Sequence, residues 1–248
     1  MKVLVIRFSS IGDIVLTTPV VRVLKTQLND AEVHFATKDK FAVLVESNPY
    51  IDKVQVLKED LGEFIKQLKA EQYDYVIDLH NNLRTRIIKT FLGVKAYSFD
   101  KLNFQKWLLV NLKINRLPNV HIVDRCLDTL KPLELKADTL GLDYFIPEKD
   151  NVPVDWLPAE FQKGYVAYAM GAQHYTKKLP LRRMIELCDK INKPIVLLGG
   201  KEDFEIAEKI HEFFQKPEQS EYETGLAELG KKTTIFNACG KFNINQSA

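Results

Sequence analysis

The stretch that decides the fold is Met1–Thr18, MKVLVIRFSSIGDIVLTT. Val3-Leu4-Val5-Ile6 is a continuous apolar run, the pattern of a strand buried on both faces of a parallel sheet. A short polar turn follows, Arg7-Phe8-Ser9-Ser10-Ile11-Gly12-Asp13, and then apolar residues that open a helical segment. In a doubly wound α/β fold, ligands bind outside the carboxyl ends of such strands, so this turn faces the ligand crevice. Gly12 permits a sharp turn or a close backbone approach. Asp13 has two readings on its residues alone: a carboxylate that caps the helix start, or one that reaches into the crevice. The single glycine is not a dinucleotide fingerprint.

Working outward, Leu16, Val20, Val23, Leu24 and Leu28 recur at helical spacing, with Pro19 forcing a new turn or a kink. Strands are expected over 31–36, 54–57, 75–79 and 95–99, alternating with helices over 41–46, 61–70 and 83–92, the last closed by Gly93. Two more helical stretches span 104–112 and 120–130. Such alternation predicts a parallel sheet with helices on both faces. The composition then shifts: Ile146–Pro158, IPEKDNVPVDWLP, carries three prolines and reads as an inter-domain linker. Beyond it the alternation restarts, with strands over 165–170, 194–198 and 233–238, helices over 181–191 and 204–214, and the first turn of another helix up to Ala248. The expected domains are 1–150 and 151–248.

With 46% hydrophobic and 27% charged residues, the composition is that of an ordinary globular protein. Lys and Arg number 35 against 33 Asp and Glu, a net charge of +2 that is too even for a general nucleic-acid binder. Cys126, Cys188 and Cys239 are widely spaced and have no metal-type pairing, so they read as small core residues of a reduced, cytoplasmic protein. The N-terminus lacks a signal-peptide pattern, and no apolar run approaches the ~20 residues of a membrane span. No obligate protein partner is evident.

VIRFSSIGDIVLTTPVVRVLK resembles the amino-terminal signature of glycosyltransferase family 9, the bacterial heptosyltransferases. The resemblance implies a GT-B scaffold of two Rossmann-like domains. It also implies transfer of heptose, or a related sugar, from a nucleotide-diphosphate donor such as ADP-heptose to lipopolysaccharide core or another glycan. Asp13 matches the family's general base, with Ser10 and Gly12 beside the acceptor. No cofactor beyond the nucleotide sugar is implied, and peripheral contact with the inner membrane's cytoplasmic face fits a glycolipid acceptor. The family's second domain continues past the point reached here, so this one is expected to be incomplete.

Three further stretches lie between a strand and a helix. Gly171–Pro180, GAQHYTKKLP, places Lys177 and Lys178 where a diphosphate meets backbone amides. Its likeness to the family's Gly-Ala…Thr-Lys-x-x-Pro motif implies donor contacts from Gln173, Thr176 and Lys177. Leu197–Glu202, LLGGKE, ends a strand in two glycines that leave room for a ring or sugar, and Glu202 suits a ribose hydroxyl. The family's similar segment implies donor contacts from Gly200 and Glu202. Asp78–Arg86, DLHNNLRTR, resembles the family's Asp-x-x-x-x-x-Arg-Ser segment and implies that Arg84 and Arg86 bind the acceptor. Arg84, Arg86 and Lys89 form a basic cluster with Lys95 and Lys101 nearby. Each stretch has a plainer reading as a solvated, charged loop or helix face. No Asp-x-Asp pair for a divalent metal is present, so none is expected at the donor phosphates. The alternative function is a non-catalytic nucleotide- or glycan-binding module, or a truncated fragment without activity.

Overall fold

The computed structural model describes residues 1–172, 174–215 and 233–248, and for Tyr175 the backbone alone. The chain divides into two compact units, Met1–Phe145 and Ile146–Ala248.

The first unit is a five-stranded parallel sheet in the order β3-β2-β1-β4-β5. Its strands are β1 (Lys2–Ile6), β2 (Glu32–Lys38), β3 (Lys53–Leu57), β4 (Tyr75–Asp78) and β5 (Lys95–Ser98). Its helices are α1 (Ile11–Val15), α2 (Thr18–Gln27), α3 (Asp39–Ala42), α4 (Leu61–Ala70), α5 (Leu83–Leu92), α6 (Asn103–Leu112) and α7 (Ile122–Leu127). The continuous apolar run of β1 is explained by its central place: Val3 through Ile6 are all fully buried. Leu4 and Ile6 join Phe64, Ile65 and Leu68 of α4 and Ile88 of α5 in one core, while Val3 and Val5 alternate to the opposite face. Pro19 ends the short α1 and opens α2, since Pro is tolerated where the first-turn N–H has no helical partner. Asp60 caps α4 through Gly62 and Glu63, Asn82 caps α5 through Thr85, and Gly93 closes α5 in the left-handed region at φ 67°.

Two polar ties hold this unit together. At the amino edge of the sheet, the buried His34 meets Tyr73 at 2.8 Å, and Glu71 accepts from Lys2, Lys53 and Gln55. Lys53 above all holds the Glu71 carboxyl down at about 2, against the opposing effect of burial. On the other side, buried Arg22 of α2 reaches both carboxylate oxygens of Asp138, as well as Asp143 and the Gly141 carbonyl. Arg22 thereby fastens the irregular segment before Phe145 onto α2.

The second unit has a three-stranded parallel sheet in the order β6 (Val166–Ala169), β7 (Ile195–Leu198), β8 (Ile235–Asn237). Helices α8 (Leu181–Ile191) and α9 (Phe204–Gln215) cover one face through Met184, Ile185, Cys188, Ala207, Ile210 and Phe213. The other face is covered by irregular chain. Leu157 and Phe161 pack with Val196 and Ala238, and the Trp156 ring lies 5.9 Å from Phe236 and 4.9 Å from Phe242. Asp150 accepts from Asn243 at 2.9 Å and from Asn245, in the short α10 (Ile244–Ser247), at 2.8 Å. The proline-rich stretch expected to be a linker is therefore a packed strap of the second unit. The physical reason is the burial of Leu157 and the ties of Asp150 to Asn243 and Asn245, contacts that no helical period announces. All three cysteines are free and buried, and burial pushes the thiols up, to about 11 at Cys126 and Cys239 and about 12 at Cys188.

Candidate active site

In the first unit the strand order reverses between β1 and β4, the point at which doubly wound sheets open a crevice at their carboxyl edge. The two chain segments leaving that point are held by one side chain. Arg7, directly after β1, donates through Nε to the Ser9 carbonyl at 2.8 Å and through a terminal nitrogen to the Leu79 carbonyl after β4. Its other terminal nitrogen lies 3.0 Å from Asp13 Oδ2. That oxygen also accepts from the Ser10 backbone N–H at 3.1 Å and the Ser10 hydroxyl at 2.8 Å.

All these contacts converge on Oδ2, and among the described residues Oδ1 has no hydrogen-bond partner. Burial alone would raise the Asp13 pKa, but the two Ser10 bonds and the Arg7 guanidinium outweigh it and hold the carboxyl below its ordinary value. With 35% of its side chain exposed, the carboxylate is ionised, oriented and accessible. Capping and presentation are thus compatible roles for one residue. Gly12 has no left-handed φ, and a Cβ there would meet nothing within 4 Å, so the missing side chain serves open space rather than a sharp turn.

His80 lies on the same edge, edge-to-face with Phe8 at 5.6 Å. Burial first, then the charges of Arg7, Lys101 and Lys38, lower its pKa to about 4, so the ring is neutral at neutral pH. Sequence reasoning missed Arg7 and His80. The available signal was a cation directly after a buried strand, with a second strand end able to supply its acceptor.

Arg84 and Arg86 are both exposed on α5, Arg84 in its first turn at the carboxyl edge of the sheet. Two residues apart on a helix, they do not face one another. Lys89, expected in the same basic face, instead pairs at 2.7 Å with the fully buried Asp78 and donates to Ser98, because a buried carboxylate requires a counter-charge. Lys95 begins β5 at the amino edge and lies over the Tyr97 ring, so it does not join them.

In the second unit the loops after β6 and β7 meet at Asp203, a residue that the motif reading passed over. Its Oδ1 is 2.8 Å from Lys178 Nζ and its Oδ2 accepts from the Gly200 N–H at 3.1 Å. A Cβ on Gly171 would stand 2.5 Å from that carboxylate, and one on Gly199 would meet Asp203 at 2.9 Å and Cys239 at 3.0 Å. The space beside Gly199 is thus filled by the protein itself, not left for a sugar. The nearest atoms to a Cβ on Gly200 would be those of the Glu202 carboxylate, the far end of a flexible side chain. Lys178 is committed to Asp203, while Lys177, Thr176 and Glu202 are exposed on the loops they were expected to occupy. Gln173 lies outside the described residues.

One further cluster has metal-ligand chemistry: Glu32, His34 and Glu71, with ligand atoms within 4.8 Å of one another. Lys2 stands 3.0 Å from both carboxylates and Lys53 2.5 Å from Glu71, so ammonium groups already neutralise it at the edge opposite the crevice.

A parallel α/β unit with an oriented carboxylate at its switch point, followed by a second parallel α/β unit with a lysine-bearing loop after its first strand, defines a GT-B-type scaffold. Residues 61–248 match glycosyltransferase family 9 (heptosyltransferase), and the chain belongs to that family. Lipopolysaccharide heptosyltransferase 1 of Campylobacter coli is 23% identical over 237 residues, covering 86% of this chain and 68% of the relative. The crystal structure of a family 9 glycosyltransferase from Veillonella parvula superposes with a TM-score of 0.72 at 20% identity, over 99% of this chain and 70% of that one. E. coli heptosyltransferase WaaC with ADP-2-deoxy-2-fluoro heptose gives 0.63 at 19% identity, over 95% and 76% of the two chains. At these identities the solved structures establish the fold, and the chain is shorter than each of these relatives. Among the described residues no helix is long and apolar enough to cross a membrane.

Proposed function

We propose that this chain carries the acceptor-side unit, and part of the donor-side unit, of an inverting heptosyltransferase. Its donor would be a nucleotide-diphosphate heptose, ADP-heptose by analogy with the ligand of the WaaC structure, and its acceptor a lipopolysaccharide-core or related glycan. The observation that carries the reading is the Asp13 carboxylate, held ionised by Arg7 and Ser10 at the β1/β4 switch point of a family 9 chain.

In the proposed reaction an acceptor hydroxyl oxygen attacks the anomeric carbon from the face opposite the leaving group. The new C–O bond forms as the bond to the diphosphate breaks, and the hydroxyl proton passes to Asp13. The nucleotide diphosphate leaves with the bonding pair, and Lys177, which is free of any described ion pair, supplies the compensating charge without a metal. Glu202 would take the ribose, with Thr176, Gln173 and Gly200 completing the donor contacts. Arg84 and Arg86 would bind acceptor phosphate or carboxylate groups, alongside Ser10 and Gly12. Mass-detected transfer of heptose from ADP-heptose to a core acceptor tests the reading. Donor binding without transfer, in a chain extended to the relatives' length, would reduce it to a binding module.

A further inference from the structure

Helix α6 buries none of its ten residues. Phe104, Trp107 and Val110 are 68, 52 and 65% exposed, and their spacing of three places them along one face of the helix. The Phe104 and Trp107 rings stack with centroids 6.4 Å apart and planes 11° from parallel, and the apolar exposure continues through Leu112 and Ile114. An apolar stripe of this length on one surface helix marks a contact surface.

The charge around it names the partner. Between Asp100 and Asp124 there is no Asp or Glu, while Lys101, Lys106, Lys113 and Arg116 give this stretch +4 in a chain whose net charge is +2. We propose that α6 and its flanks, residues 101–116, dock on the surface of an anionic phospholipid bilayer, with the Phe104–Trp107–Val110 stripe at the acyl boundary and the four cations among the headgroups. Lysine stems extend along apolar surface while their ammonium groups stay wet, and tryptophan favours the headgroup level. A second copy would bring the same positive stretch against this one, whereas an anionic bilayer supplies the counter-charge. The helix is too short and too charged to span, so it lies in the interface plane.

Its place in the fold gives the contact a use. The loop leading to α6 is bound to the loop after β4, where Asn81 Nδ2 donates to the Phe99 carbonyl at 2.9 Å. The docking face therefore adjoins the carboxyl edge that holds the candidate acceptor residues. This use rests on the proposed glycolipid acceptor; the docking itself does not.

The test is sedimentation of the chain with vesicles of phosphatidylcholine alone or mixed with phosphatidylglycerol, neither containing a glycolipid. Binding is expected to the mixed vesicles only and to weaken with added salt. In W156F protein, where Trp107 is the remaining tryptophan, emission should shift to the blue on binding. F104S/W107S should abolish binding, and K106Q/K113Q should weaken it roughly 25-fold, about fivefold per lysine. Both variants should melt like the parent, because these side chains pack against little. Equal binding to neutral vesicles, or undiminished binding by F104S/W107S, overturns the proposal. So does absence of lipid binding together with a lower melting temperature or altered oligomeric state in F104S/W107S, which would mean that another copy or segment covers the helix. Because the vesicles carry no acceptor, none of these results bears on the transferase reading.

Discussion

Asp13 and Asp203 occupy equivalent places in the two units, each near the start of a helix that follows a parallel strand. Each accepts from the backbone N–H three residues earlier, Ser10 and Gly200, and each pairs with one cation, Arg7 and Lys178. Their local chemistry is nearly the same. They differ in exposure, 35% of the side chain at Asp13 against 3% at Asp203. A buried carboxylate that holds Lys178 and the Gly200 N–H binds loops together; one with a third of its side chain exposed and one oxygen unengaged among the described residues is open to a substrate. Accessibility, not the local motif, separates the structural acid from the candidate base.

Removal of either acid should separate the two roles. Asp203→Ala strands Lys178 and opens the Gly171 and Gly199 contacts, and should destabilise the second unit by about 3 kcal/mol, the low end for a broken buried pair because Lys178 is partly wet. Urea unfolding in a W107F background, where Trp156 is the remaining tryptophan, measures it by fluorescence. Asp13→Asn should leave stability within about 1 kcal/mol, the scale of one cap contact, but cut sugar transfer at least ~100-fold. Were the stability losses reversed between the two, the structural and chemical assignments would have to be exchanged.

The two lysines of one loop extend the contrast. Lys177→Ala should weaken nucleoside-diphosphate binding roughly tenfold while hardly affecting the nucleoside, whereas Lys178→Ala should lower stability and affect both ligands alike. Calorimetry with the two ligands, on a chain of the relatives' full length, discriminates them. Arg7→Gln has a smaller expected effect. Asp13 must be unprotonated to act, and its depressed pKa places loss of activity on the acid side. Removing the guanidinium takes away one of the interactions that lower that pKa, so the acid limb of kcat should move to higher pH. An unmoved limb would mean that another group titrates there. Smallest of all, EDTA should leave transfer unchanged if Lys177 alone carries the diphosphate charge.

Much of the architecture was legible because it rests on periodicity. The fully apolar β1, the alternation of strand and helix, the break at Pro19 and the stop at Gly93 all follow from local stereochemistry. What escaped depends on partners distant in the chain. Arg7 finds the Leu79 carbonyl 72 residues away, and Lys178 finds Asp203 25 residues on. Lys89 is drawn inward by Asp78, a carboxylate at the end of an expected strand whose counter-charge the sequence does not announce. The 146–158 strap was missed for a related reason: Leu157 is buried against another segment, with no repeat of its own to announce it.

The Arg7–Asp13 contact has one more consequence, for turnover. In the proposed reaction each cycle deposits a proton on Asp13, and the enzyme is spent until that proton is gone. A base weakened by a neighbouring guanidinium is, read backwards, a stronger acid, so its proton passes to water more readily. Arg7 lowers the pull on the acceptor hydroxyl and, by the same interaction, speeds the reset.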